Sequence, residues 1–198
     1  IYPLATIQAI RAVASAHGLP MHLDGARLFN AVVASGVSAA DYARHFETVT
    51  FCLSKGLGAP AGSLIATDDL ALLERLRRFR RMYGGAMRQS GILAAAGLYA
   101  LEHHVQRLAE DHAHAKRLAA RLEQIPGVSI NPAVVETNIL FFEVHSPRLS
   151  AHAFVAALRQ EGVLLNAVSP RSCRAVTHLD VSAQAIEQAA DAIARVLA

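Results

Sequence analysis

The stretch Thr48-Val49-Thr50-Phe51-Cys52-Leu53-Ser54-Lys55-Gly56-Leu57-Gly58-Ala59-Pro60 decides how this chain is read. Its first six residues carry the β-branched and aromatic side chains of a short strand. The strand ends at Ser54-Lys55, and Gly56 and Gly58 then let the backbone turn closely around a neighbouring group. Gly62 to Thr67 reads as a further strand, which places the lysine on a loop between two strands. A lysine at the tip of a buried strand loses hydration, which disfavours its charged form and frees the amine as a nucleophile. A surface lysine at a turn is the competing reading of this segment taken alone. Two other glycine-loop readings fail on context. Gly56 to Gly62 has one residue too many for a dinucleotide fingerprint, and Pro60 and the strand-like Ser63-Leu64-Ile65-Ala66 follow where a helix would have to open. In a P-loop the lysine comes after the glycines, not before them.

The composition sharpens attention on that lysine. Of 19 basic residues 17 are arginine, and only Lys55 and Lys116 are lysine. Guanidinium does not give up its proton to become a nucleophile, so a lysine retained in such a chain marks chemistry that arginine cannot copy, or else chance. The net charge of +3 is too weak to argue for a nucleic-acid partner, and Arg75, Arg77, Arg78, Arg80 and Arg81 read as a solvated helix face. The longest uncharged stretch is 13 residues (Gln89 to Leu101 is one), short of the ~20 apolar residues of a membrane span, so no membrane partner is expected. Cys52 and Cys173 are too few for a disulfide framework and point to reduced thiols and a cytoplasmic location. His103, His104, His112 and His114 include no i,i+4 pair, so no metal site is expected and a solvated helix face is.

Working outward, Leu4, Ile7, Ile10, Val13 and Ala14 have the spacing of an amphipathic helix that ends before Gly18. Leu19 to Asp24 reads as a buried strand, and Asp24 as a strand end that also caps a helix over Ala26 to Ser35. Asp68 or Asp69 caps a charged helix running to about Met82, and residues 88–122 form one or two helices with Gly91 and Gly97 as weak points. Pro126-Gly127 is the best boundary, giving units 1–122 and 123–198. Beyond it come strands Val128–Ile130 and Asn138–Val144, helix Ser150–Gly162, strands near Val163–Leu165 and Arg174–Thr177, and helix Ala183–Leu197. Alternating strands and helices predict an α/β layer structure. A helix feeding a buried strand at the very start suggests more sheet upstream, hence the C-terminal part of something larger.

In His22-Leu23-Asp24-Gly25-Ala26-Arg27-Leu28, Asp24 stands at a strand tip, where ligands bind in open α/β sheets, and Arg27 lies one helical turn on. Helix capping alone would explain Asp24. A carboxylate facing a protonated ring nitrogen explains it equally well. An acid at one strand tip and a lysine at the next, 31 residues on, together suggest pyridoxal phosphate, which needs an amine for its aldehyde and an acid for its pyridine nitrogen.

His22–Ala31 (HLDGARLFNA), Leu53–Pro60 (LSKGLGAP), Met87–Gly91 (MRQSG) and Arg174–Ser182 (RAVTHLDVS) closely resemble the low-specificity L-threonine aldolases. These are β-eliminating lyases with the pyridoxal-phosphate-dependent, aspartate-aminotransferase-like fold. The resemblance implies a mostly parallel large-domain sheet over 1–122, a small C-terminal α/β domain over 123–198, and a homodimer or homotetramer. It implies that Lys55 binds the cofactor aldehyde, Asp24 pairs with the pyridine nitrogen, Arg27 lies near the phenolic oxygen, and Ser54 and Arg88 approach the phosphate. Arg174 would clamp the carboxylate of an amino-acid substrate. The implied reaction is retro-aldol cleavage of a β-hydroxy-α-amino acid, such as L-threonine or L-allo-threonine, to glycine and an aldehyde. A non-catalytic relative of the fold and another β-eliminating lyase are the alternatives. The family's phosphate-binding Gly/Thr turn and ring-stacking histidine precede the Asp-Gly-Ala-Arg motif. Only 23 residues precede Asp24 here, and neither His17 nor His22 matches the stacking position. The expectation is therefore a fragment lacking its N-terminal part and not competent alone, unless another chain supplies what is missing.

Overall fold

The computed structural model describes residues 1–198, which divide into two compact units, Ile1–Arg107 and Leu108–Ala198. The first unit runs α1 (Leu4–Ala16), β1 (His22–Asp24), α2 (Leu28–Ser35), α3 (Ala39–Ala43), β2 (Thr48–Cys52), β3 (Ser63–Ala66), α4 (Leu70–Met82) and α5 (Gly91–His103). Its sheet has the order β1-β2-β3. β1 and β2 pair in parallel with Asp24 opposite Thr50, and β3 turns back antiparallel with Ser63 opposite Cys52. The strand period of two sorts the side chains. Leu23, Val49 and Phe51 join Ile7, Leu28 and Tyr42 in one apolar cluster. His22, Asp24, Thr48 and Thr50 occupy the alternate positions, where His22 Nδ1 meets Thr48 Oγ1 at 2.8 Å.

The predicted apolar face of α1 is only half used: Ile7 and Ala14 are buried, while Ile10 and Val13 are exposed. β1 is shorter than the Leu19–Asp24 strand expected, because Leu19 N–H is taken by Ala14 O in closing α1. Asp69, not Asp68, caps α4, accepting from Leu72 N–H at 3.0 Å. Gly97 does not break its helix; α5 runs through it.

The second unit comprises α6 (Leu108–Leu122), β4 (Val128–Ser129), a 3-10 turn (Pro132–Val134), β5 (Ile139–Val144), α7 (Ala151–Gln160), β6 (Asn166–Ala167), β7 (Ser172–Val176) and α8 (Ala183–Leu197). Its four strands are all antiparallel, in the order β4-β5-β7-β6. β5 alternates with strict period two: Leu140, Phe142 and Val144 are buried and Phe141 and Glu143 are exposed. The buried set meets Phe154 and Leu158 of α7 and Ile186 and Ile193 of α8, each such side chain contributing ~1.5–3 kcal/mol on burial. Phe142 and Phe154 meet edge to face, 6.4 Å apart.

The boundary is corrected by this packing. The units part between Arg107 and Leu108, not at 122/123. Ala115, Leu118, Ala119 and Leu122 of α6 belong to the second core, so Pro126-Gly127 is a turn inside that unit. β6 also falls later than the strand expected near Val163–Leu165. The chain leaves α7 through left-handed Gly162, and Val163 N–H still bonds back to Leu158 O.

Candidate active site

Because β1 and β2 are parallel neighbours, their C-terminal tips lie at one end of the sheet. Asp24 is the last residue of β1, and Lys55 follows the last residue of β2 by three positions. Both are exposed, against the burial expected at strand tips. Asp24 does not cap a helix. Its Oδ1 accepts from Ala26 N–H at 3.2 Å, closing a local turn, and Leu28 N–H then donates to Gly25 O at 2.7 Å. α2 therefore begins at Leu28, and Arg27 is its N-cap residue rather than part of its first turn. Gly25 is required at this bend: a β-carbon there would stand 2.6 Å from the Thr50 carbonyl oxygen. Asp24, Gly25, Arg27 and Tyr42 line part of a cavity of about 200 Å³.

The Lys55 loop is closed by its own backbone. Gly58 N–H donates to Lys55 O at 2.9 Å, Ala59 N–H to Leu53 O at 3.0 Å, and Leu53 N–H to Gly62 O at 2.9 Å. Gly58 takes φ +73° and Gly62 φ +111°, conformations that favour glycine. Leu53, Leu57 and Ala59 are buried beneath, so Ser54 and Lys55, exposed like Gly58 and Pro60, stand on an anchored base. Gly97 of α5 lies against Leu53, and a β-carbon on it would come 2.8 Å from Leu53 Cδ1. Gly97 is thus a packing site and not the helix weak point expected, and a lone glycine following Ala94-Ala95-Ala96 is the sequence signal of such close packing.

Arg88 is exposed in the turn between α4 and α5, next to Gln89, whose φ of +53° makes it the non-glycine residue with left-handed backbone. Arg174 lies in the second unit, on β7 opposite Phe141 and Asn166, and its Nε is buried without a hydrogen-bond partner. The first unit thus brings Asp24, Arg27, Ser54, Lys55 and Arg88 into one compact body, and Arg174 belongs to the other.

The four histidines do not form the solvated face expected. They fall on two helices and the link between them. His104 bonds the carbonyl of Leu57, 2.6 Å from its Nδ1, and His112 is buried on α6, where loss of hydration pushes its pKa down. The five arginines of α4 are exposed, with Arg77 paired to Glu74. No helix is long and apolar enough to cross a membrane.

The sequence profile of the beta-eliminating lyases matches residues 1–145. The chain is 45% identical over 172 residues to the low specificity L-threonine aldolase of Escherichia coli K12, covering 87% of this chain and 49% of that protein. It is 40% identical over 171 residues to low-specificity L-threonine aldolase 1 of Arabidopsis thaliana, covering 86% and 48%. The chain thus spans about half the length of the curated relatives it matches. The solved structure of Leishmania major threonine aldolase superposes with a TM-score of 0.79 at 23% identity, over 100% of this chain and 57% of that one, and so shares the fold. The mixed α/β architecture and the family profile converge, and the chain belongs to the beta-eliminating lyase family.

Proposed function

We propose that this chain contributes the lysine-bearing part of a pyridoxal-phosphate-dependent aldolase, which cleaves L-threonine, L-allo-threonine and related β-hydroxy-α-amino acids to glycine and an aldehyde. The observation that carries this reading is the pair of adjacent parallel strand tips bearing Asp24 and the anchored Lys55 loop, in a chain 40–45% identical to low-specificity L-threonine aldolases.

The donor set fits the group. An exposed amine at Lys55, a carboxylate at Asp24, a hydroxyl at Ser54 and guanidinium groups at Arg27 and Arg88 match an anionic aromatic aldehyde with a basic ring nitrogen. When bound, pyridoxal phosphate supplies an electron sink for carbon–carbon cleavage. Lys55 Nζ is the amine for its aldehyde. Asp24 holds a proton on the ring nitrogen through a charge-assisted hydrogen bond. Ser54 and Arg88 receive the phosphate, and Arg27 neutralises the phenolic oxygen. Arg174, whose Nε is buried without a partner, has the bidentate fork suited to the substrate carboxylate.

A homodimer or homotetramer fits the exposed apolar residues of α5, where Ile92 is 76% and Leu98 61% exposed. A cytoplasmic location fits the two free thiols. The test is to add pyridoxal phosphate, reduce with borohydride, map the labelled peptide, and follow L-threonine consumption. Label at Lys55, lost in Lys55→Ala, supports the reading. Absence of label in the unaltered chain, or its persistence in Lys55→Ala, overturns it. Labelling at Lys55 without threonine consumption agrees with a part that binds the cofactor and is not competent alone.

A further inference from the structure

One peptide plane holds the backbone of Lys55. The Leu57–Gly58 unit is bonded at both ends: its N–H, from Gly58, donates to Lys55 O at 2.9 Å, and its carbonyl, from Leu57, lies 2.6 Å from His104 Nδ1. A carbonyl oxygen only accepts, so Nδ1 carries the proton in this contact. Rotating the peptide would break both bonds together. Gly58 at φ +73° permits several alternative turns, so local geometry alone does not fix this one. The remaining grip on the loop is backbone pairing and the burial of Leu53, Leu57 and Ala59.

His104 is well placed to supply the missing constraint. It closes α5, bonding back to Ala100 O, on the helix whose Gly97 packs against Leu53 at the root of the same loop. The ring of Tyr99 meets the His104 imidazole edge on, 5.5 Å between centroids, which limits its rotation. The contact joins residues 47 apart in sequence. We propose that His104 is a positioning residue for Lys55: its Nδ1–H locks the Leu57–Gly58 peptide and, through that peptide, the backbone from which the lysine amine projects. This role rests on reading Lys55 as the cofactor lysine. The locking itself is independent of that reading.

The test uses the full chain and the variants His104→Leu and His104→Asn. The Asn side-chain amide places a donor nitrogen close to where Nδ1 stands, whereas Leu retains bulk without a donor. Hydrogen exchange at the Gly58 amide reads the lock, with the amides of α1 as the folding control. Borohydride trapping of pyridoxal phosphate at Lys55 reads the consequence. In His104→Leu, Gly58 exchanges ~5–10-fold faster, the size expected for one lost neutral hydrogen bond, and trapping slows, while α1 is unchanged. His104→Asn restores both. Unchanged Gly58 exchange in His104→Leu overturns the proposal, as does failure of His104→Asn to restore it with α1 intact. If the unaltered chain traps no cofactor, the reading of Lys55 falls, and the lock is judged on Gly58 exchange alone.

Discussion

Gly25 and Thr50 approach so closely that a β-carbon on the glycine would stand 2.6 Å from the threonine carbonyl oxygen. That carbonyl belongs to the central strand of the first sheet and cannot retreat without disturbing the β1–β2 register that sets Asp24 beside Thr50. Gly25→Ala is therefore expected to destabilise the first unit by ~2–3 kcal/mol, near the top of the overpacking range. Gly36, at φ +73° with open space around its α-carbon, is the matched control, and Gly36→Ala should cost only the ~1 kcal/mol of left-handed backbone. Urea midpoints of the two variants decide the matter; equal losses would show that the Thr50 contact yields easily.

The Asp24 Oδ1 closes a turn on Ala26 N–H, and under the proposed function its charge would also face the cofactor ring. Asn retains a carbonyl oxygen for the turn and removes the charge. Asp24→Asn should keep thermal stability within ~0.5 kcal/mol of the unaltered chain, as for an exposed substitution. Its pyridoxal phosphate affinity should fall ~10–100-fold, the worth of one hydrogen bond to a charged group. A loss of stability with unchanged affinity would make Asp24 a turn residue only.

The strand tips were legible because their signals are local. A β-rich hexamer running into Ser54-Lys55-Gly56 defines a loop without any long-range contact, and Asp24-Gly25 marks an abrupt end to a strand. The division of the chain was not legible at Pro126-Gly127, because a proline–glycine turn looks the same inside a unit as between units. What decides is where Ala115, Leu118 and Leu122 are buried, and that depends on strands more than a dozen residues further on. His104 was misread for the same reason. Its partner is 47 residues upstream, and nothing in the spacing of the histidines announces a bond to a backbone carbonyl.

The two thiols should respond differently to modification. Cys52 is half-buried at the end of β2, whereas Cys173 on β7 is fully buried, and burial pushes its thiol up to about 11. A thiolate-seeking reagent near neutral pH should label Cys52 and spare Cys173 until denaturant is added. The raised thiol also predicts an alkaline weakness. Between about 9 and about 11 the unfolded chain has released this proton and the folded chain has not, so stability falls as pH rises through that window. Equal labelling rates for the two cysteines in the native chain would contradict the packing of β7.

His112 predicts the opposite limb. Burial on α6 lowers its pKa below 6.5, Asp111 opposes that shift and Lys116 reinforces it. Below 6.5 the unfolded chain therefore binds a proton that the folded chain resists, and stability should fall as pH drops below that value. The half-buried carboxylates Asp41 and Glu47, held down by Ser38 and by the Met21 amide respectively, withdraw their own contributions only below 3.8 and 4.5. Unfolding measured between about pH 7 and pH 5 thus isolates the histidine from them. His112→Gln keeps polarity without a titrating group, so its stability should change less across that interval than the unaltered chain's. Identical slopes for the two would mean that His112 opens to solvent and takes up its proton without unfolding.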